Sequence, residues 1–397
     1  MKYTSTSWRP GTARPRTLYA LTALMAVVLL WLPTEQAEAQ IGGAGVVFLM
    51  IEPDSRAAGM GNTGVAIADN ASANFWNPAG LAFQRGTEVS LTHSNWLPAF
   101  DAGLFYEYLT AKHSVDGVGT FGAQVTFLNL GEHEGRDFQG DPTGTFRSYD
   151  LAIGLSYARQ LTSQFGVGIS TRFIYSDLAP EGLSDGVDGT GSSVSFDLAG
   201  LYRSNPIDLG GVGTTISAGF NLANMGPEIS YSDAEDSGDP LPTNLRFGYS
   251  LTFDFDDFNQ LTFANDFNKM LVRRGVDGAD PWHRAIFTAW DAITVCQVTA
   301  PECRDSSPSE APENYRSVNA LEQMTIGTGL EYWYDQLFAI RTGYFYESPY
   351  NGNRQFLTFG AGLRYNIVGI DFSYIYALEE DSPLSDTMRF SLLLDFG

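Results

Sequence analysis

Long period-two alternation is the strongest constraint on how this 397-residue chain can fold. In RQFLTFGAGLRYNI, Leu357, Phe359, Ala361, Leu363, Tyr365 and Ile367 share one side, opposite Thr358, Gly360, Gly362, Arg364 and Asn366. In SYDLAIGLSYA the apolar set is Tyr149, Leu151, Ile153, Leu155 and Tyr157, opposite Asp150, Ala152, Gly154, Ser156 and Ala158. TNLRFGYSLTFD sets Leu245, Phe247, Tyr249, Leu251 and Phe253 against Arg246, Gly248, Ser250 and Thr252. Successive strand side chains point to opposite faces, so these are long strands with one apolar and one small or polar face.

A soluble sandwich and a membrane barrel both produce such strands. Length separates them: soluble strands usually run about 5–6 residues, whereas tilted bilayer-crossing strands need about 9–11. The segments here reach the longer class, and their polar face is mostly Gly, Ser, Ala and Thr rather than the Lys and Glu of a wet sheet. Aromatic groups such as Tyr332-Trp333-Tyr334 and Tyr344-Phe345-Tyr346 fall near segment ends, where interfacial girdles belong. Closure removes the unpaired edges that lipid cannot satisfy. The expectation is an all-β, 14-stranded antiparallel transmembrane β-barrel.

The fourteen strands are expected at 86–96, 102–112, 117–129, 147–159, 164–175, 192–203, 211–223, 242–253, 259–269, 324–335, 337–347, 354–365, 368–378 and 387–396. Connections after even strands are short and most after odd strands are long: 130–146, 176–191, 224–241, 270–323 and 379–386. That asymmetry matches periplasmic turns and extracellular loops.

The N-terminus supports export. Lys2, Arg9, Arg14 and Arg16 precede the apolar run Leu18 to Leu32, and Ala37-Glu38-Ala39 supplies the small residues of a cleavage site before Gln40. No later apolar run is long enough for a spanning helix. The division is a signal peptide over 1–39, an N-terminal plug segment over 40–85 and the barrel over 86–397, with an extracellular insertion at 270–323. The chain carries a formal charge of −23; the signal holds four basic and two acidic residues, so the remainder carries −25. Such charge excludes nucleic acid and anionic membrane surfaces as partners. Outer-membrane lipid is the expected solvent of the apolar face, and the cell outer membrane the location.

Gly59-x-Gly61-x-x-Gly64 has the spacing of a dinucleotide-binding loop, but its context fails. Pro53-Asp54-Ser55-Arg56 separates it from the preceding apolar run, and no acid stands at 80–87 for a ribose. An exported chain also leaves nicotinamide cofactors behind, so no cofactor is expected. Asn77-Pro78 reads as a helix start, with Asn capping and Pro in the first turn. The glycines permit close backbone packing or positive φ. Together these fit a compact plug at one end of a barrel.

SRAAGMGNTGVAIADNASANFWNPAGLA resembles the N-terminal signature of the PorV/PorQ family of outer-membrane proteins, relatives of the FadL-like barrels. The matching positions include Gly59, Gly61, Gly64, Asn74, Trp76, Asn77, Pro78 and Gly80. DFNKMLV at 266–272, followed by a long insertion, resembles the PorV branch more. The resemblance implies a fourteen-stranded barrel around an N-terminal hatch, serving type IX secretion. It implies receipt of cargo proteins by their C-terminal signal domain and passage from translocon to attachment complex. FadL-like transport of small hydrophobic compounds is the alternative it carries.

Other sites are sparse. His93, His113, His133 and His283 are scattered. Glu132-His133-Glu134, Asp185 with Asp188, and the acidic run from Asp233 to Asp239 read as solvated outer loops, without a calcium-loop pattern. No nucleophile–base arrangement stands out, so the chain reads as a non-enzyme. Cys296 and Cys303, the two cysteines, lie in the longest outer loop, and an even count in an exported chain predicts a disulfide. The same loop holds RAIFTAWDAITV at 284–295, read as a short amphipathic helix through Ala285, Phe287 or Thr288, and Ala292 or Ile293. Phe390, Leu392, Leu394 and Phe396 alternate to the penultimate residue, and the terminal Phe396 resembles the signal read by the barrel-insertion machinery.

Overall fold

In hydrocarbon every backbone N–H and C=O needs a partner within the protein, so a sheet of long apolar-faced strands must close on itself. The computed structural model, which describes residues 43–397 apart from 137–138, 180–188, 232–237, 276–277, 297–313 and 380–381, contains that closed sheet. The expected signal at 1–39 lies outside the described residues.

The wall strands are β1 (Thr87–Asn95), β2 (Phe105–Val115), β3 (Gly119–Arg136), β4 (Pro142–Gln160), β5 (Phe165–Asp177), β6 (Thr190–Arg203) and β7 (Gly213–Met225). They continue with β8 (Asn244–Asp254), β9 (Asn259–Met270), β10 (Met324–Tyr334), β11 (Phe338–Glu347), β12 (Gln355–Tyr365), β13 (Val368–Ala377) and β14 (Met388–Asp395). Each pairs antiparallel with its sequence neighbour. The ring closes where β1 meets β14, from Glu88↔Asp395 to Ser94↔Arg389. This is the fourteen-stranded all-β barrel that the alternation requires.

The two faces sort as the period predicts. Leu155, Phe359, Leu363, Ile370 and Phe390 are exposed on the outside, while Ala152, Ser156, Arg246, Ser250 and Thr358 are buried inside. The aromatic girdle needs correction. Trp333 and Phe345, the middle residues of their triplets, point inward, because alternation sends the centre of any three to the opposite face.

Tight turns such as 116–118 and 366–367 gather at one end, and the long connections 226–243 and 271–323 at the other. The β3–β4 hairpin reaches further than expected. Glu132, His133 and Glu134 are strand residues opposite Arg147, Phe146 and Thr145, not part of a free loop. In the longest connection the helix is α3 (Trp282–Thr288), shorter than the expected 284–295. The β-branched Ile293 and Thr294 instead enter the strand Ile293–Cys296, paired with Tyr315–Val318. Ala285 is buried while Phe287 stands 78% exposed, so Phe287 is not on the packed face.

Residues 43–85 run through the lumen, forming the one-turn helices α1 (Ser55–Ala58) and α2 (Ala73–Trp76) and a 3-10 helix at Pro78–Phe83. They extend along the barrel rather than sitting at one end. At the long-loop end Gly45 N–H donates to the Pro240 carbonyl, and Phe48 packs in a cluster with Ile229 and Leu241. At the short-turn end Lys112 Nζ donates to the Arg85 carbonyl. The apolar Val46, Phe48 and Leu49 draw the segment up into the long-loop end, where burial removes them from water.

Candidate functional site

The lumen is occupied by the glycine-rich segment, and each residue of its motif has a defined partner. Asp54 caps α1 by accepting from Ala57 N–H at 3.2 Å, and also accepts from Trp76 Nε1 at 2.5 Å. Burial pushes the Asp54 carboxyl up, against the opposing pull of these two donors. The indole therefore ties the two one-turn helices together.

Gly61 has φ +68°, a left-handed conformation that glycine adopts without strain. A Cβ there would stand 2.6 Å from the carbonyl oxygens of both Thr328 and Tyr344, and the Gly61 N–H donates to Thr358 Oγ1 at 2.8 Å. Gly64 is required by another neighbour: its Cβ would lie 2.1 Å from the Trp76 ring. Gly64 and Val65 N–H groups donate to Asp266 Oδ2 at 2.6 and 2.8 Å. Gly59 approaches the Gly360 backbone, and a Cβ on Gly80 would meet the Ala68 carbonyl at 2.1 Å. The dinucleotide-like spacing is thus a run of close approaches, to wall backbone at Gly59 and Gly61 and to the Trp76 ring at Gly64.

The amides finish the seating. Asn74 Nδ2 donates to Thr110 Oγ1 at 2.9 Å and to the Ala111 carbonyl at 3.0 Å. Asn77 Oδ1 accepts from Ala79 N–H while its Nδ2 donates to the Val65 and Gly200 carbonyls. Pro78 opens the 3-10 helix immediately after, so the cap-and-proline start forms, as 3-10 rather than α.

Sequence reasoning missed the buried charges beneath this segment. Arg56 donates to both oxygens of Glu331 at 2.8 and 2.7 Å and also pairs with Asp69. Arg341 continues from Glu331 to Asp371 at 2.6 and 2.8 Å, and Arg364 joins Asp371 at 2.6 Å. The chain of charges crosses β10, β11, β13 and β12. A second pair, Arg172 with Asp197, lies between β5 and β6. Desolvating such charges is costly unless each is paired, so the Arg56–Glu331 pair binds segment to wall and the pairs of Arg341, Arg364 and Arg172 bind wall strands to one another. Their signal was present as Arg and Asp at inward positions of otherwise small-residue strands.

The sequence match decides the family. A model of the type IX secretion system protein PorV matches residues 34–277, more than half of the chain. The chain belongs to the PorV family. No curated protein sequence matches it significantly. Among solved structures it is similar to the Ralstonia pickettii toluene transporter TbuX, at 16% identity and TM-score 0.47 over 87% of this chain and 98% of that one. The Pseudomonas putida toluene transporter TodX is similar at 14% identity and TM-score 0.46, over 90% and 98%. A Pseudomonas aeruginosa FadL homologue follows at 12% and 0.42, over 92% and 100%.

As a PorV-family barrel the chain is an outer-membrane protein of type IX secretion. Phe396 sits just past β14, exposed, with its N–H donating to the Thr87 carbonyl at 2.8 Å. Cys296 ends the strand Ile293–Cys296, whereas Cys303 lies outside the described residues, as do Asp185, Asp188 and Asp233. Among the described residues no group of three or more His, Cys, Asp or Glu is arranged to hold a metal ion.

Proposed function

We propose that this PorV-family barrel receives proteins exported by type IX secretion through their C-terminal signal domains and passes them from translocon to surface attachment complex. The observation that carries the reading is the family match over residues 34–277. The architecture agrees with it. The lumen is filled by a segment tied to the wall through the buried Arg56–Glu331 ion pair and many hydrogen bonds, so protein handling falls to the long-loop end and outer surface. That end carries α3 and the two-stranded unit of Ile293–Cys296 with Tyr315–Val318, with Phe287 and Leu321 exposed. A disulfide between Cys296 and Cys303 would staple this insertion. Deleting the gene and measuring which exported proteins remain in the periplasm tests the reading. Normal surface delivery of every cargo would overturn it.

A second reading, transport of small hydrophobic compounds, draws on one feature of the wall. Pairing between β6 and β7 stops at Phe196↔Met225, although β6 continues to Thr190. The chain leaves the wall there, with Asn224 at φ +59° and its N–H donated to Asp197. Beyond that point residues 226–230 lie against β6, with Ser193 Oγ donating to the Pro227 carbonyl at 2.9 Å, and this irregular stretch is where an apolar solute would leave the lumen for the bilayer. Uptake of a labelled hydrocarbon by deletion and complemented strains separates the two readings.

A further inference from the structure

Between the plug segment and β8, β9, β10 and β11 lies a crevice with about 20 Å³ of free space, room for one water-sized group. Its origin is in the register. Asp266 of β9 stands opposite Gly248 on one side, over which its own Oδ1 lies, and opposite Gly327 on the other, over which the Gly61 and Asn62 carbonyls lie. Two positions along, Asn268 stands between Arg246 and Thr325. From the plug side Asn62 and Trp76 complete the lining, with Glu52 and Phe345 above.

Four buried atoms of this lining have no hydrogen-bond partner within the protein: Asn62 Oδ1, Asp266 Oδ1, Asn268 Oδ1 and Arg246 Nη1. Asn62, Asp266 and Arg246 are each more than nine-tenths buried, so their unmet capacity is expensive. Three of the four atoms are acceptors. Asp266 forms no ion pair among the described residues: its Oδ2 accepts the Gly64 and Val65 N–H groups, while the nearby Arg246 guanidinium is held over the Phe75 ring at 4.3 Å and the Trp76 ring at 5.4 Å. The three unpartnered oxygens call for donors, and the Asp266 carboxylate for a positive charge. An anion would meet three oxygens for one donor.

We propose that this crevice is a binding site for a primary ammonium group. Its three N–H donors match the three orphaned oxygens, its charge balances the Asp266 carboxylate, and its size matches the free space. The site is independent of cargo handling, since it rests on lumen residues alone. The same chemistry is presented by a free alkylamine and by a lysine side chain.

The test is calorimetric titration of the full-length protein in detergent with n-butylammonium, n-butanol and butyrate. Saturable binding of butylammonium alone is expected. Asp266→Asn is expected to weaken it by roughly tenfold or more. Because Asp266 also anchors Gly64 and Val65, Asn268→Ala provides a variant that leaves the plug anchor untouched, and it is expected to weaken binding as well. Nα-acetyl-lysine amide and its Nε-acetylated form distinguish the sources. Binding of the first and not the second assigns the site to a lysine side chain, and binding of butylammonium alone assigns it to a free amine. Absence of saturable butylammonium binding, equal binding of butanol, preference for butyrate, or unchanged affinity in Asn268→Ala would each overturn the proposal.

Discussion

Arg56, in α1 of the lumen segment, donates to both carboxylate oxygens of Glu331 in β10, a residue 275 positions away. Glu331 is fully buried and Arg341 satisfies it from the other side. The lumen segment is therefore locked to the wall by a shared carboxylate.

Replacing Arg56 with Met should loosen that lock. Glu331 keeps Arg341 as a partner, so the cost should fall below the 3–5 kcal/mol of a fully orphaned buried charge and lie near about 1–3 kcal/mol. The barrel should still insert, with a lower midpoint of heat-modifiability on gels and greater entry of bulky antibiotics. A midpoint and permeability equal to the parent would show that the ion pair does not hold the segment.

Gly61→Leu should be more damaging than the loss of Arg56. The side chain would meet backbone carbonyls of β10 and β11 at a left-handed residue, and neither obstacle can relax by a rotamer change. Gly64→Ala should act similarly by displacing the Trp76 indole. The measurement is the amount of heat-resistant folded form in purified outer membranes. Wild-type amounts for both variants would rule out close seating.

Asp54 gives a pH dependence. Burial raises its carboxyl above the ordinary value, so the unfolded chain ionises it more readily than the native state does. Native stability from this group is then greatest below the ordinary carboxylate value and is lost as pH rises through the raised one. Relative to Asp54→Asn, the parent's unfolding midpoint should climb on acidification from about pH 8 to about pH 4. A relative midpoint that falls on acidification would reverse the sign.

Phe396→Ala should reduce the amount inserted in the outer membrane without altering export from the cytoplasm. The side chain is exposed beyond β14, so little packing is lost and the folded barrel should keep its stability. Equal insertion of parent and variant would remove the recognition role.

Cys296→Ser should leave insertion intact, because the strands of the wall close without the insertion at 271–323. A bridge across six intervening residues is worth on the order of 2–3 kcal/mol of local order. If that order serves cargo, surface delivery should fall at constant protein level. Labelling of an added loop cysteine in intact cells, in a background lacking the native pair, checks that the insertion faces outward.

The wall was legible from the chain because lipid enforces one rule on every strand. Leu155, Phe359 and Phe390 could be assigned outward, and Ala152, Ser156 and Thr358 inward, from parity alone. Asn77-Pro78 was equally legible, since its cap bond is local. The exceptions were also physical. The outward-looking aromatic triplets hid inward Trp333 and Phe345, and the helix expected at 284–295 gave way where β-branched residues found a strand partner.

What the sequence determined by itself is the barrel: number of strands, sidedness, the end that bears long loops, and a glycine-rich segment before the first strand. Each follows from spacing between near neighbours. The tertiary structure decided what fills the lumen. Parity places Arg56, Glu331, Arg341, Asp371, Arg246 and Asp266 on inward or plug positions, but it does not say which charge meets which. Those pairings depend on register around the ring and on a segment threaded past its strands. Only the closed barrel sets these distances, and so decides which charges are paired and which atoms are left for a ligand.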